Sequence, residues 1–315
     1  MARPDVATQQ STIEVPAARS RQPRRWRRYL IWYALIAPNL ILFAIFGLLP
    51  ILATVAISFT RWNILGNPQW IGLQNYQRLV GDPIFWTTLR VTVTYVVLFV
   101  VPTAAASLGL ALLLTLAGRL QTLFRPIYFV PVVTSVTVIA MLWGWLFLPD
   151  KSGPLNYLFG TLGIPAQGFL QDPSQALPAV TMIALWGGAG YYMVLWLAGL
   201  QGVPQELQDA ALVDGANGWA SFWNITLPLL KPTTTFIVII GTIHAFQAFA
   251  TIFLLTGGGP LYNTTTIVLF IYNRAFQLQE MGYASSASLI LLAVILAITL
   301  LQRKLIGGWT DELYS

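Results

Sequence analysis

The chain has no cysteine and a single histidine among its 315 residues. Without thiols, disulfide bridges and thiolate metal sites are excluded. Charge is scarce: 9% of residues are Asp, Glu, Lys or Arg, against 56% hydrophobic. Ordinary soluble domains carry about 25% charged residues, so this chain is too apolar to be one. The phosphate-cradling pattern G-x-x-x-x-G-K-[ST] does not occur, and neither does any Gly-Lys pair. Any ATP-driven work must therefore be supplied by another chain. The clusters of His, Asp and Glu that a membrane enzyme would need are also missing.

Long apolar runs take their place. A helix needs about 20 apolar residues to cross the hydrocarbon core. Runs at about 31–58, 87–116, 126–148, 177–200, 233–256 and 284–302 meet that test. The composition thus predicts an all-α, polytopic membrane protein with about six transmembrane helices, both termini on one side. Arg19, Arg21, Arg24, Arg25, Arg27 and Arg28 precede the first run. Basic residues concentrate on the cytoplasmic side of membrane proteins, which places both termini there, close to anionic lipid headgroups. The same distribution argues against nucleic acid as a partner. The first run is too long for a signal peptide and has no small-residue cleavage site, so it is read as a retained span. Residues 1–28 read as a disordered basic N-terminus, and 304–315 as a cytoplasmic tail. Arg119, Arg125, Lys231, Arg303 and Lys304 would lie inside. Arg61, Arg78, Arg90, Lys151 and Arg274 would lie outside, in or near loops rich in Trp, Tyr, Pro, Gly and Asn.

Between the fourth and fifth runs stands GLQGVPQELQDAALVDGANGWASFWNITLPLLKP. Pro204 suits a helix start, Glu206 complements the positive end of the helix dipole, and Gly215 suits a left-handed stop. A short helix over 204–214 follows. Asn217 can cap a second short helix carrying Trp219, Phe222 and Trp223, which Pro228 and Pro232 would end. Ala210, Ala211 and Gly215 offer a low-bulk face that can approach another surface closely. Glu206, Asp209 and Asp214 would orient a protein partner. A helix lying on anionic lipid would carry Lys and Arg instead.

Asp209-Ala210-Ala211, then three residues, Gly215, nine residues and Ile225-Thr226-Leu227-Pro228 resembles the EAA loop of ABC importer membrane subunits, with Asp in the usual Glu position. The variant DAALVDGA with NITLPLLKP is similar to the carbohydrate-uptake branch, typified by maltose-type permeases. So are IGLQNYQRL, WLAGLQGVP, FLLTGGGPLYNTTT and YNRAFQLQEMGYASSAS. The resemblance covers most of the chain beyond about residue 30, and implies that 29–303 form an ABC transporter transmembrane domain in a bacterial cytoplasmic membrane. It implies a second homologous permease subunit, two cytoplasmic ATPase subunits that bind ATP and Mg, and an external solute-binding protein. No cofactor is expected in this chain. Glu206, Asp209, Ala210, Ala211, Asp214 and Gly215 would couple to the ATPase.

A transport site for a sugar needs hydrogen-bonding side chains and aromatic rings. In GTIHAFQAFATIFLL, residues His244, Gln247 and Thr251 are spaced to share one helix face, either lining a cavity or bonding neighbouring helices. In LWGGAGYYMVLWLAGL, Gly187, Gly188 and Gly190 would weaken or bend the helix, or admit a close neighbour. By the resemblance, His244, Gln247, Tyr191 and Gly188 match positions that contact sugar in maltose-type subunits; Tyr192 is a neighbour without that match. The departures are Ala250, where a polar or acidic residue is usual, and His244 itself. Trp186 and Trp196 read as packing or interfacial residues. Ser135 and Thr137 are secondary wall candidates. Apart from Arg90 near the outer end of the second run, the spans hold no Arg or Lys to meet an anion, so a neutral sugar is the expected cargo. A polyol or compatible solute is the alternative. An ion-coupled carrier is disfavoured by the near absence of acids within the spans, although sodium held by carbonyls at a broken helix stays open.

Overall fold

A computed structural model describes residues 25–307. Of the N-terminus expected to be disordered, residues 1–24 lie outside the described residues, while 25–28 are helical and open α1; the C-terminal tail lies outside them from residue 308. Two compact units divide the chain, Met1–Leu52 and Ala53–Ser315. In the first, helix α1 (Arg25–Phe43) passes through a π turn, Ala44–Leu48, into the start of α2 (Leu49–Ser58).

The second unit holds the rest. A two-residue strand pair, Thr60–Arg61 with Gln69–Trp70, precedes α3 (Gln74–Val80). Helix α4 (Pro83–Leu116) follows, 34 residues long. Its start is locally encoded: Pro83 occupies the first turn, and Asp82 Oδ1 accepts from the backbone N–H of Ile84 at 2.8 Å. Then come α5 (Gln121–Val133), α6 (Val136–Leu146), α7 (Pro154–Thr161) and α8 (Ala176–Gln201). The chain continues through α9 (Gln205–Val213) and a helical run over Gly218–Leu229, here α10. It ends with α11 (Lys231–Phe246), α12 (Ala250–Leu255), α13 (Ile267–Tyr272) and α14 (Met281–Gln302).

The all-α membrane architecture is as the composition predicts. Among the described residues, four helical stretches are long and apolar enough to cross a bilayer unaided: Trp32–Ser58, Pro83–Leu116, Ala176–Gln201 and Met281–Ile306. Counting each of two bent pairs as one span gives up to six. The third expected span is such a pair: α5 and α6 meet at 94°. Thr134 is extended (φ −78°, ψ 137°) and ends α5 three residues after Pro131. The fifth expected span is also broken. Its helix stops at Phe246, and α12 begins only at Ala250, because Gln247, Ala248 and Phe249 leave the helical path; Phe249 has φ −136° and ψ −62°.

The core runs along α4 and α8. Tyr95, Phe99 and Val100 of α4 pack with Val180, Met193 and Trp196 of α8 in one buried cluster. Trp196 is buried, and its Nε1–H donates to Ser107 Oγ at 3.1 Å, satisfying the indole inside apolar surroundings. Helix α8 runs unbroken through its glycines. Gly190 explains why they are there. A Cβ at this position would lie 2.2 Å from the carbonyl oxygen of Tyr128, so α5 rests directly on the α8 backbone.

Candidate functional site: an intramembrane cavity and a capped loop

The broken helix, the bend between α5 and α6, and the middle of α8 surround a cavity of about 280 Å³. Its wall includes His244, Ala248, Phe249 and Thr251 from the α11–α12 break, Thr134 and Val136 from the α5–α6 bend, and Tyr95 and Phe99 of α4. No Asp, Glu, Lys or Arg lines it.

The structure gathers the sequence-predicted residues unevenly. Tyr192 Oη lies 3.2 Å from His244 Nδ1. The Tyr191 ring stands edge-on to Tyr192, with centroids 5.2 Å apart, and 6.2 Å from the His244 ring. Tyr192 is buried while Tyr191 and His244 are exposed. Tyr192 is thus a support for the histidine; Tyr191 is exposed beside His244, but Tyr191, Tyr192, Gly188 and Gln247 do not line the cavity. Gly188 lies beside that support without being required by it: a Cβ there would make ordinary contacts, 3.7 Å from Tyr192 and 3.8 Å from Phe99. His244, Gln247 and Thr251 do not share one face of a continuous helix. Gln247 caps α11, exposed, and Thr251 belongs to α12. The break replaces the regular stripe with residues from two helix ends, and His244 and Thr251 still meet at the cavity wall. Ser135 and Thr137 are not in the wall; their neighbours Thr134 and Val136 are. Thr134, Tyr95, Phe99 and Phe249 were not legible as wall residues, since only the two breaks bring them together.

The loop between α8 and α11 is built by local rules. Helix α9 ends in a double cap: the N–H of Gly215 bonds the carbonyl of Leu212 at 3.1 Å, and that of Ala216 bonds Ala211 at 2.8 Å. Gly215 has φ +80°, a left-handed conformation that glycine adopts without a Cβ penalty. Asn217 Oδ1 then accepts from the N–H of Ala220 at 2.8 Å and starts α10. Pro228 does not stop this helix. A π turn over Phe222–Thr226 precedes it, and such a turn is one way a helix adjusts its hydrogen bonding around a residue without an N–H. The break comes at Leu230, where α10 and α11 bend by 66°. Glu206, Asp209 and Asp214 are exposed, with Asp209 Oδ1 accepting from Gln205 Nε2 at 3.2 Å. The small residues do not form one face: Ala210 and Gly215 are exposed, whereas Ala211 is buried. The outward surface of α9 instead carries Leu207, Leu212 and Val213.

A sequence model for the binding-protein-dependent transport system inner membrane component matches residues 105–308. The chain belongs to that family. It is 35% identical over 276 residues to a probable ABC transporter permease protein of Pyrococcus horikoshii, covering 86% of this chain and 93% of the relative. It is 35% identical over 280 residues to an sn-glycerol-3-phosphate transport system permease protein of Brucella abortus, covering 87% and 94%. Its fold matches a chain in the crystal structure of a bacterial alginate ABC transporter in complex with an alginate pentasaccharide-bound periplasmic protein. That match has a TM-score of 0.79 and 24% identity, and covers 89% of this chain and 95% of the other. The chain is therefore a multi-pass ABC-type permease, a transport subunit and not itself an ATPase.

A second set of polar residues, missed at the sequence level, lies where α3, α4 and α14 meet. Arg274 donates to Asp82 Oδ2 at 3.0 Å and to Glu280 Oε2 at 3.1 Å. Arg78 makes a two-pronged bond to Glu280, at 2.7 and 3.2 Å. Tyr283 donates to Asp82 Oδ2 at 2.7 Å. Arg78 and Arg274, counted from sequence only as external base, are thus both neutralised by acids.

Proposed function

We propose that this permease forms half of the path of an ATP-driven sugar importer, and that the cavity beside His244 is its part of the cargo site. The observation that carries this reading is a cavity wall without Asp, Glu, Lys or Arg. Aromatic rings of Tyr95, Phe99 and Phe249 face it, and His244 and Thr251 supply hydrogen-bonding groups. A neutral sugar, with apolar C–H faces and many hydroxyls, suits such a wall. The cavity is open and built from one chain, so a second homologous permease would complete it.

Within the loop around 204–228, helix α9 would engage one of two cytoplasmic ATPase subunits, which bind ATP and Mg. The apolar residues Leu207, Leu212 and Val213, beside Glu206, Asp209 and Asp214, offer contact area and orienting charge together. The loop side is then cytoplasmic, both termini included, and an external solute-binding protein delivers cargo to the opposite face. The family description and the binding protein in the alginate complex support that partner.

The Brucella abortus relative favours a second reading, a phosphorylated polyol. The absence of Lys and Arg from the cavity wall argues for the neutral cargo. ATP-driven uptake into vesicles holding the full transporter decides between them. A panel of neutral mono- and oligosaccharides, polyols and sn-glycerol 3-phosphate should show saturable uptake of a neutral saccharide. Uptake of the phosphate ester alone would overturn the assignment.

A further inference from the structure

The loop that follows α8 has two helices of opposite chemistry. Helix α9 carries exposed acids. From Gly215 to Leu230 the chain has no charged residue at all, and the next charge is Lys231 at the start of α11. Within this neutral stretch α10 is oriented. Thr226 and Leu230 are buried, whereas Trp219 and Trp223, one helical turn apart, are 71% and 49% exposed. The two indoles meet edge-on with centroids 5.6 Å apart, and Phe222 packs against both.

We propose that α10 is an interfacial anchor, its Trp219–Trp223 face seated in the lipid headgroup layer on the loop side of the membrane. The occupant is argued from continuity. The helix bends by 66° into α11, the start of the fifth expected span, and the exposed apolar surface continues through Leu229 to Phe236. A bend of that size would turn α10 out of the line of the span and toward the headgroup layer. Tryptophan fits that depth because its apolar ring and polar N–H find partners on either side of the boundary. Interfacial helices held by anionic lipid present Lys or Arg. This one presents none, so the aromatic rings are the holding element and zwitterionic lipid suffices. An ATPase contact on the same face would lack the charges that α9 offers for orientation. The inference rests on the permease reading but not on the coupling role of α9. Division of labour follows: α9 moves with a protein partner while α10 fixes the loop's depth.

The cysteine-free chain permits a direct test. Trp219→Cys, Trp223→Cys and, as reference, Val213→Cys are labelled with an environment-sensitive fluorophore in the full-length permease. Each is reconstituted in phosphatidylcholine vesicles, with and without the ATPase subunits. Labels at 219 and 223 should be quenched by lipid spin-labelled near the headgroup, more weakly by deep acyl spin labels, and should be shielded from iodide. The ATPase should leave them unchanged. Either position serves if the other variant fails to fold. Quenching by iodide without lipid quenching would overturn the proposal, and so would loss of lipid quenching when the ATPase binds. A requirement for phosphatidylglycerol would overturn the aromatic anchor. If the coupling reading alone fails, the label at 213 ignores the ATPase while those at 219 and 223 still report lipid.

Discussion

Arg274 Nη2 lies 3.0 Å from Asp82 Oδ2, joining residues 192 positions apart in the chain. Asp82 also caps α4, and Glu280 precedes α14, so one guanidinium ties together the starts of two long helices. Both partners are largely buried, with side chains 15% and 12% exposed. Neutralising Asp82 removes one of the two carboxylates that Arg274 meets and leaves Glu280 at 3.1 Å, a loss worth about 1.5–3 kcal/mol. Asp82→Asn should therefore lower the thermal unfolding temperature of the detergent-solubilised permease, while Arg90→Gln, at an exposed position, should change it little. Equal shifts from both would remove the cluster's structural role.

The same aspartate predicts a pH dependence. Burial works against its charge, but the Tyr283 hydroxyl, the Ile84 N–H and Arg274 outweigh it and hold the carboxyl below its ordinary range. The lowered folded-state value means that the stabilisation is fully present above the unfolded pKa, about 3.9. It fades as pH falls through the folded value. Thermal unfolding between pH 7 and pH 3 should show a steeper acid loss for the parent than for Asp82→Asn. Parallel curves would contradict this.

Gly190→Ala and Gly188→Ala should separate folding from transport. An added Cβ at 190 meets the Tyr128 carbonyl at 2.2 Å, and overpacking of this kind costs about 1–3 kcal/mol. At 188 the nearest atom is 3.7 Å away, an ordinary contact. The first variant should unfold at lower temperature. The second should fold normally and show its effect, if Gly188 borders the cargo, in the KM for uptake.

Tyr192→Phe removes only the hydroxyl that meets His244 Nδ1. A lost hydrogen bond of this kind is worth about 1 kcal/mol, or roughly five-fold in affinity. Uptake KM should rise accordingly, whereas Tyr191→Ala and His244→Ala should impair uptake more severely without disturbing assembly with the ATPase. Unchanged uptake in both alanine variants would remove the proposed cargo site.

Gly215→Trp should abolish ATP-driven uptake while the protein still inserts. No atom lies within 4 Å of a Cβ at this position, so the damage would come from the left-handed backbone and from bulk presented to a partner. Membrane fractionation and vesicle uptake check it together. Normal uptake would count against docking at α9.

Local chemistry was legible in the sequence and long-range geometry was not. The start of α10 at Asn217 and the stop of α9 at Gly215 depend on neighbouring residues, and both formed where the sequence placed them. The break at Gln247–Phe249 was hidden, because the apolar text of AFQAFATIF runs through it without a Gly or Pro to mark a stop. Pro131 did lie near the bend between α5 and α6, but proline inside membrane helices is common enough that it fixed no break. Asp82, Arg78, Arg274 and Glu280 were invisible as a unit because they join only after α3, α4 and α14 pack.

The carbonyl of Tyr128 leaves no space above Gly190 for even a methyl group. A joint that tight makes rolling or sliding of α5 over α8 costly, which favours the two helices travelling together. Whatever opens this permease bends more easily elsewhere: at Thr134, at Leu230, or across the gap between α11 and α12.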